Sequence, residues 1–121
     1  MAYPQEPPLM ARKLSAYMAD CGAVSSAFVC AGFDGRIKRI DAVVYGAITG
    51  ANSVITTKIA GTAVTGGTVT VLLSGAAAGN VSSAVPTGAN IFRATDNIEF
   101  ASDGGATNTQ PLNIIVEVEP V

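Results

Sequence analysis

Several stretches of this chain alternate apolar and polar residues with the period of two that a half-buried β-strand requires. The cleanest is LNIIVEVE, which puts Leu112, Ile114, Val116 and Val118 on one face and Asn113, Ile115, Glu117 and Glu119 on the other. TVTVLLS directs Val69, Val71 and Leu73 inward, and NIEFAS sets Ile98 and Phe100 against Asn97 and Glu99. In GRIKRIDAVVYGA, Ile37 falls out of phase with Ile40, Ala42 and Val44, which predicts a bulge near Lys38 and Arg39. SAFVCAG and SVITTKIAG supply further strands, and LSAYMAD and NVSSAVP weaker ones. Between them, FDGR, TGANS, VTGGT and SGAAAGN carry turn chemistry. About eight short strands separated by turns predict an all-β fold: a single antiparallel β-sandwich or jelly-roll-like barrel over residues 12–121. One helical alternative stands at LMARKLSAYMA, where Leu9, Met10, Arg12 and Lys13 fall at spacings a short helix could use and Ala and Leu favour it, but the β texture around it favours a strand.

Residues 1–11 do not share the alternation. Pro4, Pro7 and Pro8 remove backbone donors and fix φ, while Tyr3, Leu9 and Met10 add apolar groups. The stretch reads either as an extended arm able to dock on a neighbour or as an ordinary terminal tail. Its Glu6 and prolines occupy the place of the apolar core of a secretory signal, so none is expected. No transmembrane helix is expected either. Residues 59–92 contain no charge, but Gly61, Gly66, Gly67, Gly75, Gly79, Pro86 and Gly88 interrupt them.

Composition changes the picture. Charged residues make up 13% of the 121, against about 25% in typical soluble domains, while apolar residues reach 49%. A surface so poor in charge is expected to be covered by copies of the chain or by a partner; the alternative is a neutral surface rich in Thr and Ser. A net charge of −2 leaves no basic face for nucleic acid beyond Arg36, Lys38 and Arg39, which read as a solvated strand edge or an ion-paired patch. Cys21 and Cys30 lack metal spacing and are expected to be reduced, packed as small hydrophobes; a disulfide would need them on neighbouring strands in register.

Chemistry is poorly supplied. The chain has no histidine, and no nucleophile elbow, phosphate loop, dinucleotide fingerprint or CxxC pair, so it is expected not to be an enzyme and to use no cofactor. The acidic stretch DNIEFASDGGATNT is the remaining candidate, since Asp96, Glu99 and Asp103 are natural calcium ligands. A strand over 97–102 would hold Asp96 and Asp103 up to ~20 Å apart, too far to share an ion. The expectation is therefore no metal site, with a strand followed by an Asp-Gly-Gly turn. A carbohydrate groove would call for exposed aromatics, yet Trp is absent and Phe92 and Phe100 sit in apolar contexts.

The order of these features resembles the small trimeric, jelly-roll-like decoration (cement) proteins of tailed-bacteriophage capsids. The resemblance spans about residues 24–120 and rests on turn signatures: Ala47-Ile48-Thr49, Pro86-Thr87 with Asn90, and Asp103-Gly104-Gly105. Ala94-Thr95-Asp96 departs from it by lacking a glycine before the aspartate. The resemblance implies a structural virion protein without catalytic residues. It would be assembled in the host cytoplasm and bind the outside of the head as a homotrimer, stabilising the lattice of the major capsid protein. The capsid latch would then be the arm, through Tyr3, Pro4, Pro7, Pro8, Leu9 and Met10. Two rivals remain: a receptor- or glycan-binding knob of a head or tail fibre, and a pilin-like surface subunit.

Overall fold

The computed structural model describes residues 12–121. Along the chain run β1 (Arg12–Met18), β2 (Val24–Val29), β3 (Gly35–Val44), β4 (Ser53–Ile59), β5 (Thr62–Val71), β6 (Val81–Ala84), β7 (Ile91–Phe92), β8 (Ile98–Asp103) and β9 (Leu112–Pro120). No helix among the described residues is long and apolar enough to cross a membrane. The segment with helical propensity is β1, because Leu14, Ala16 and Met18 alternate inward and bury against the core, a gain that outweighs local preference.

The strands pair in a nested, antiparallel order: β1 with β9, β2 with β8, β3 with β6, and β4 with β5. Lateral pairing of β9 with β3 and of β8 with β4 completes two sheets, β1-β9-β3-β6 and β2-β8-β4-β5. The short β7 adds to β3 beyond β6. This is the order of a jelly roll, a long hairpin rolled so that its two arms alternate in each sheet. One lateral edge of the sandwich is therefore β1 and β2, and the other is β5 and β6.

The alternating residues meet between the sheets. Leu112, Ile114, Val116 and Val118 are buried as their spacing predicts, as are Ile98, Phe100, Val69 and Val71. Leu73 is not: the strand ends at Val71, the Leu73 N–H caps onto Asn52 Oδ1 (2.8 Å), and the side chain lies outside. The expected bulge is present, the β3–β9 register shifting between Ile37 and Arg39. Asn90 serves the irregular stretch on the other side of β3, its carbonyl accepting from the Ile37 N–H (2.9 Å) and its amide donating to the Ile37 carbonyl (2.8 Å).

The expectation for the cysteines holds for one of them. Cys21 is buried, while Cys30 is exposed and donates to the Ala94 carbonyl (3.1 Å) instead of packing as a hydrophobe. Both are free thiols, Cys21 in the β1–β2 loop and Cys30 just beyond β2.

Candidate interaction surface

Loops β1–β2, β3–β4, β5–β6 and β8–β9 gather at one end of the sandwich, and hydrogen bonds tie them together. The buried Cys21 carbonyl accepts from Ser53 Oγ (2.9 Å) and Ser102 Oγ (2.7 Å), and Ser53 Oγ also accepts the Ala106 N–H (3.0 Å). The Thr107 N–H donates to the Thr49 carbonyl (2.8 Å), their hydroxyls meet at 2.9 Å, and Asn108 bonds both the Thr49 N–H and the Ala47 carbonyl. Glycines make the approach possible: a Cβ on Gly105 would overlap the Asn52 carbonyl oxygen, and one on Gly22 the Asn108 carbonyl oxygen.

The acidic stretch belongs to this scaffold. Asp103 is the last residue of β8, and its Oδ1 accepts the N–H groups of Gly105 (2.9 Å) and Val54 (3.0 Å), with Gly104 at φ +73°. At the opposite end of β8, Asp96 Oδ2 accepts the Arg93 N–H (3.0 Å) and the Asp96 N–H donates to the Arg93 carbonyl (3.0 Å). This turn closes without positive φ at Ala94 or Thr95, so it needs no glycine. Glu99, between them, accepts from Ser26 Oγ (2.7 Å). The structure thus separates the three carboxylates and gives each a local partner. Among the described residues, no group of three or more His, Cys, Asp or Glu side chains is placed to hold a metal ion.

The outer faces of the two sheets differ in charge. On the first sheet, register places Lys13 beside Glu117 and Glu117 beside Arg39, with Asp41 and Glu119 in flanking rows. Arg39 Nε reaches Asp41 Oδ1 at 2.9 Å and Lys38 reaches Glu119 at 3.7 Å, so the basic trio is in part an ion-paired patch. Arg36 Nε is buried and has no hydrogen-bond partner among the described residues. On the second sheet, the outward positions are mostly small or β-branched, with Val54, Thr56, Thr68, Thr70 and Ala101 around a Glu99–Lys58 neighbour pair.

Among the described residues, ten large apolar side chains are exposed. Tyr17, Val24, Tyr45, Leu72, Leu73 and Val81 lie toward the tied-loop end, and Phe28, Val85, Ile91 and Val121 toward the other. The uncharged run 59–92 contains all of β5, β6 and β7, so its missing charge maps onto one lateral edge of the sandwich. Tyr17 and Tyr45 stand edge to face with ring centroids 6.0 Å apart, each more than half exposed. Phe92 and Phe100, the aromatics weighed above, fill the core, whereas the exposed rings among the described residues are Tyr17, Tyr45 and Phe28. Only the tyrosines' outward register signals exposure, at Tyr17 through the inward neighbours Ala16 and Met18. The expected latch residues Tyr3, Pro4, Pro7, Pro8, Leu9 and Met10 lie outside the described residues. No family model matches the chain, and no curated protein matches it.

Proposed function

We propose that this chain is a non-enzymatic structural virion protein: a homotrimeric capsid decoration protein that binds the outer surface of a phage head and stabilises the major capsid protein lattice. One observation carries the reading. A jelly roll with few charges leaves a whole lateral edge, β5 to β7, without any, and large apolar side chains stand exposed along it. Interface cores are depleted in charge in just this manner, whereas an isolated domain exposing such an edge risks edge-to-edge association. The turn signatures shared with decoration proteins add support, since Thr49 and Gly105 take part in the bonding and close packing of the tied loops.

The test is direct. Light scattering of the purified chain is expected to give three copies, about 37 kDa for a chain of 12.2 kDa, and the protein is expected to co-sediment with expanded capsids of its own phage. A stable monomer that fails to bind those capsids overturns the reading. Removal of residues 1–11 is expected to leave the β domain folded and to weaken capsid attachment.

A second reading, a receptor- or glycan-binding knob, is favoured by the Tyr17–Tyr45 pair, because exposed aromatic rings stack on sugars. Glycan-array binding that disappears in Tyr45→Ala, together with no capsid binding, would decide for it.

A further inference from the structure

We propose that the hollow between the β3 bulge and the β6–β7 loop binds a carboxylate group, with Arg36 as its anchor. The site does not depend on the decoration reading.

Arg36 stands apart from the ion-paired patch of its neighbours. The ion pairs among the described residues join Lys38 to Glu119 (3.7 Å) and Arg39 to Asp41 (2.9 Å), so Arg36 belongs to neither. Register sets Glu119 beside Arg36 on one flank and Ile91 on the other, yet the Glu119 carboxylate pairs with Lys38. Arg36 is half-buried, and its Nε is enclosed without a partner among the described residues. Holding a guanidinium partly out of water with no anion against it is unfavourable. A group kept in that state is a candidate anchor for a ligand. With Nε enclosed, the fork meets a ligand through its terminal amino groups, an edge that grips a carboxylate with two parallel bonds.

The hollow has a volume of about 270 Å³. Arg36, Lys38, Thr87 and Asn90 supply its polar lining, and Val85 and Pro86 an apolar wall. Its frame is tied in place. Asn90 clamps Ile37 at the bulge, accepting from its N–H (2.9 Å) and donating to its carbonyl (2.8 Å), and keeps a second amide N–H to donate. The Thr87 N–H donates to the Thr65 carbonyl (2.9 Å) and the Thr65 N–H to the Gly88 carbonyl (2.9 Å), which pins the loop to β5. A frame already ordered spares that much entropy on binding.

Charge selects the class of ligand. Arg36 and Lys38 against Glu119 leave a single positive charge, which one carboxylate neutralises, whereas a phosphate dianion would be left repelling Glu119. Val85, 62% exposed, and the buried Pro86 offer contact to the aliphatic stem behind the carboxylate, as in an acidic side chain or a short organic acid.

Titration of the full chain with sodium acetate at constant ionic strength, followed by two-dimensional amide NMR, tests the site. The side-chain N–H signals of Arg36 and Asn90 are expected to shift together and to saturate in the millimolar range. Arg36→Gln should abolish the saturable shift of Asn90. Arg36→Lys, which keeps the charge and loses the fork, should weaken binding about tenfold. Arg39→Gln makes the same change in net charge on the same strand and is expected to leave acetate binding unaltered. Backbone amide spectra check that each variant is folded, and Arg36→Lys carries the test where Arg36→Gln is not. Shifts that climb without saturating, or an equal loss in Arg39→Gln, overturn the site. Inorganic phosphate that binds as tightly as acetate overturns the assignment to a carboxylate. Co-sedimentation of Arg36→Gln with capsids separates the two sources: weakened attachment puts the carboxylate on a side chain of the head surface, and full attachment puts it on a free acid.

Discussion

Ser53 and Ser102 should not contribute equally to stability, although both donate to the same carbonyl. Ser53 is fully buried; its hydroxyl donates to the Cys21 carbonyl and accepts the N–H of Ala106, itself 2% exposed. Ser53→Ala removes a donor and leaves a buried N–H without a partner, which costs about 1–3 kcal/mol for the orphaned group alone. Ser102 Oγ donates to Cys21 and accepts the N–H of Gly104 (3.1 Å), a half-buried residue that water reaches. Ser102→Ala should therefore cost less, about 1 kcal/mol. In either single variant the Cys21 carbonyl keeps one donor, whereas in the double variant it has none. The double variant should lose more than the sum of the two, by roughly 1 kcal/mol. Urea unfolding at one fixed protein concentration measures all three, with an unchanged slope marking a true stability change. Equal single costs would refute the role given to the buried Ala106 N–H, and strict additivity would refute the idea that these serines share one buried acceptor.

Other outcomes follow from the same geometry. Gly105→Ala should cost about 1–3 kcal/mol by chemical denaturation, because its methyl would overlap the backbone at Asn52. Gly61→Ala meets open space, and its penalty should be confined to the φ of +85°, roughly 1–2 kcal/mol. Burial works against the Asp41 carboxylate, but hydrogen bonds from Ser83 and Arg39 outweigh it and hold its pKa below the ordinary 3.8. The stabilisation is present above that value and is lost as pH falls through the lower folded one, so Asp41→Asn should flatten the acid limb of a stability–pH curve. A thiol reagent should modify exposed Cys30 at once. Cys21, buried and with its thiol pushed above the ordinary 9.0 by that burial, should react only on unfolding. Two equally fast thiols would contradict this.

What was legible in the sequence was what alternates. Leu112 to Val118, Ile98 with Phe100, and the phase break at Ile37 each state a face and its interruption locally, and the structure places them so. Strand ends were less legible. Leu73 continues an apolar alternation, but a side chain twenty-one residues earlier, Asn52, caps the backbone there, and no local pattern encodes that bond. Cys30 fails for a similar reason: its neighbours resemble a strand, while β2 stops at Val29 and the thiol turns to Ala94. Strand order was illegible because it lives in pairings such as β1 with β9, which join the two ends of the described chain. The exposed surface was illegible on the same ground, since Tyr17 and Val81 share a row only through Asn113 and Val43.

Nested pairing also explains why one compositional oddity is spatially meaningful. In a rolled hairpin, the middle of the chain folds back on itself first, so β4, β5 and β6 come together and β5 and β6 end at one side of the sandwich. A run that is contiguous in sequence becomes contiguous on the surface. The absence of charge from 59 to 92 is then the absence of charge from one edge, where a few lysines would ordinarily keep unpaired strands apart. The opposite edge is built from the start of the described chain, β1 and β2, and β1 leads directly from residues 1–11. The trimer proposed above would repeat the start of β1 once per copy. Capsid attachment through residues 1–11 would then be multivalent, each weak contact raising the effective concentration of the next. A chain held monomeric should for that reason lose far more capsid affinity than the loss of one contact explains, even with residues 1–11 intact.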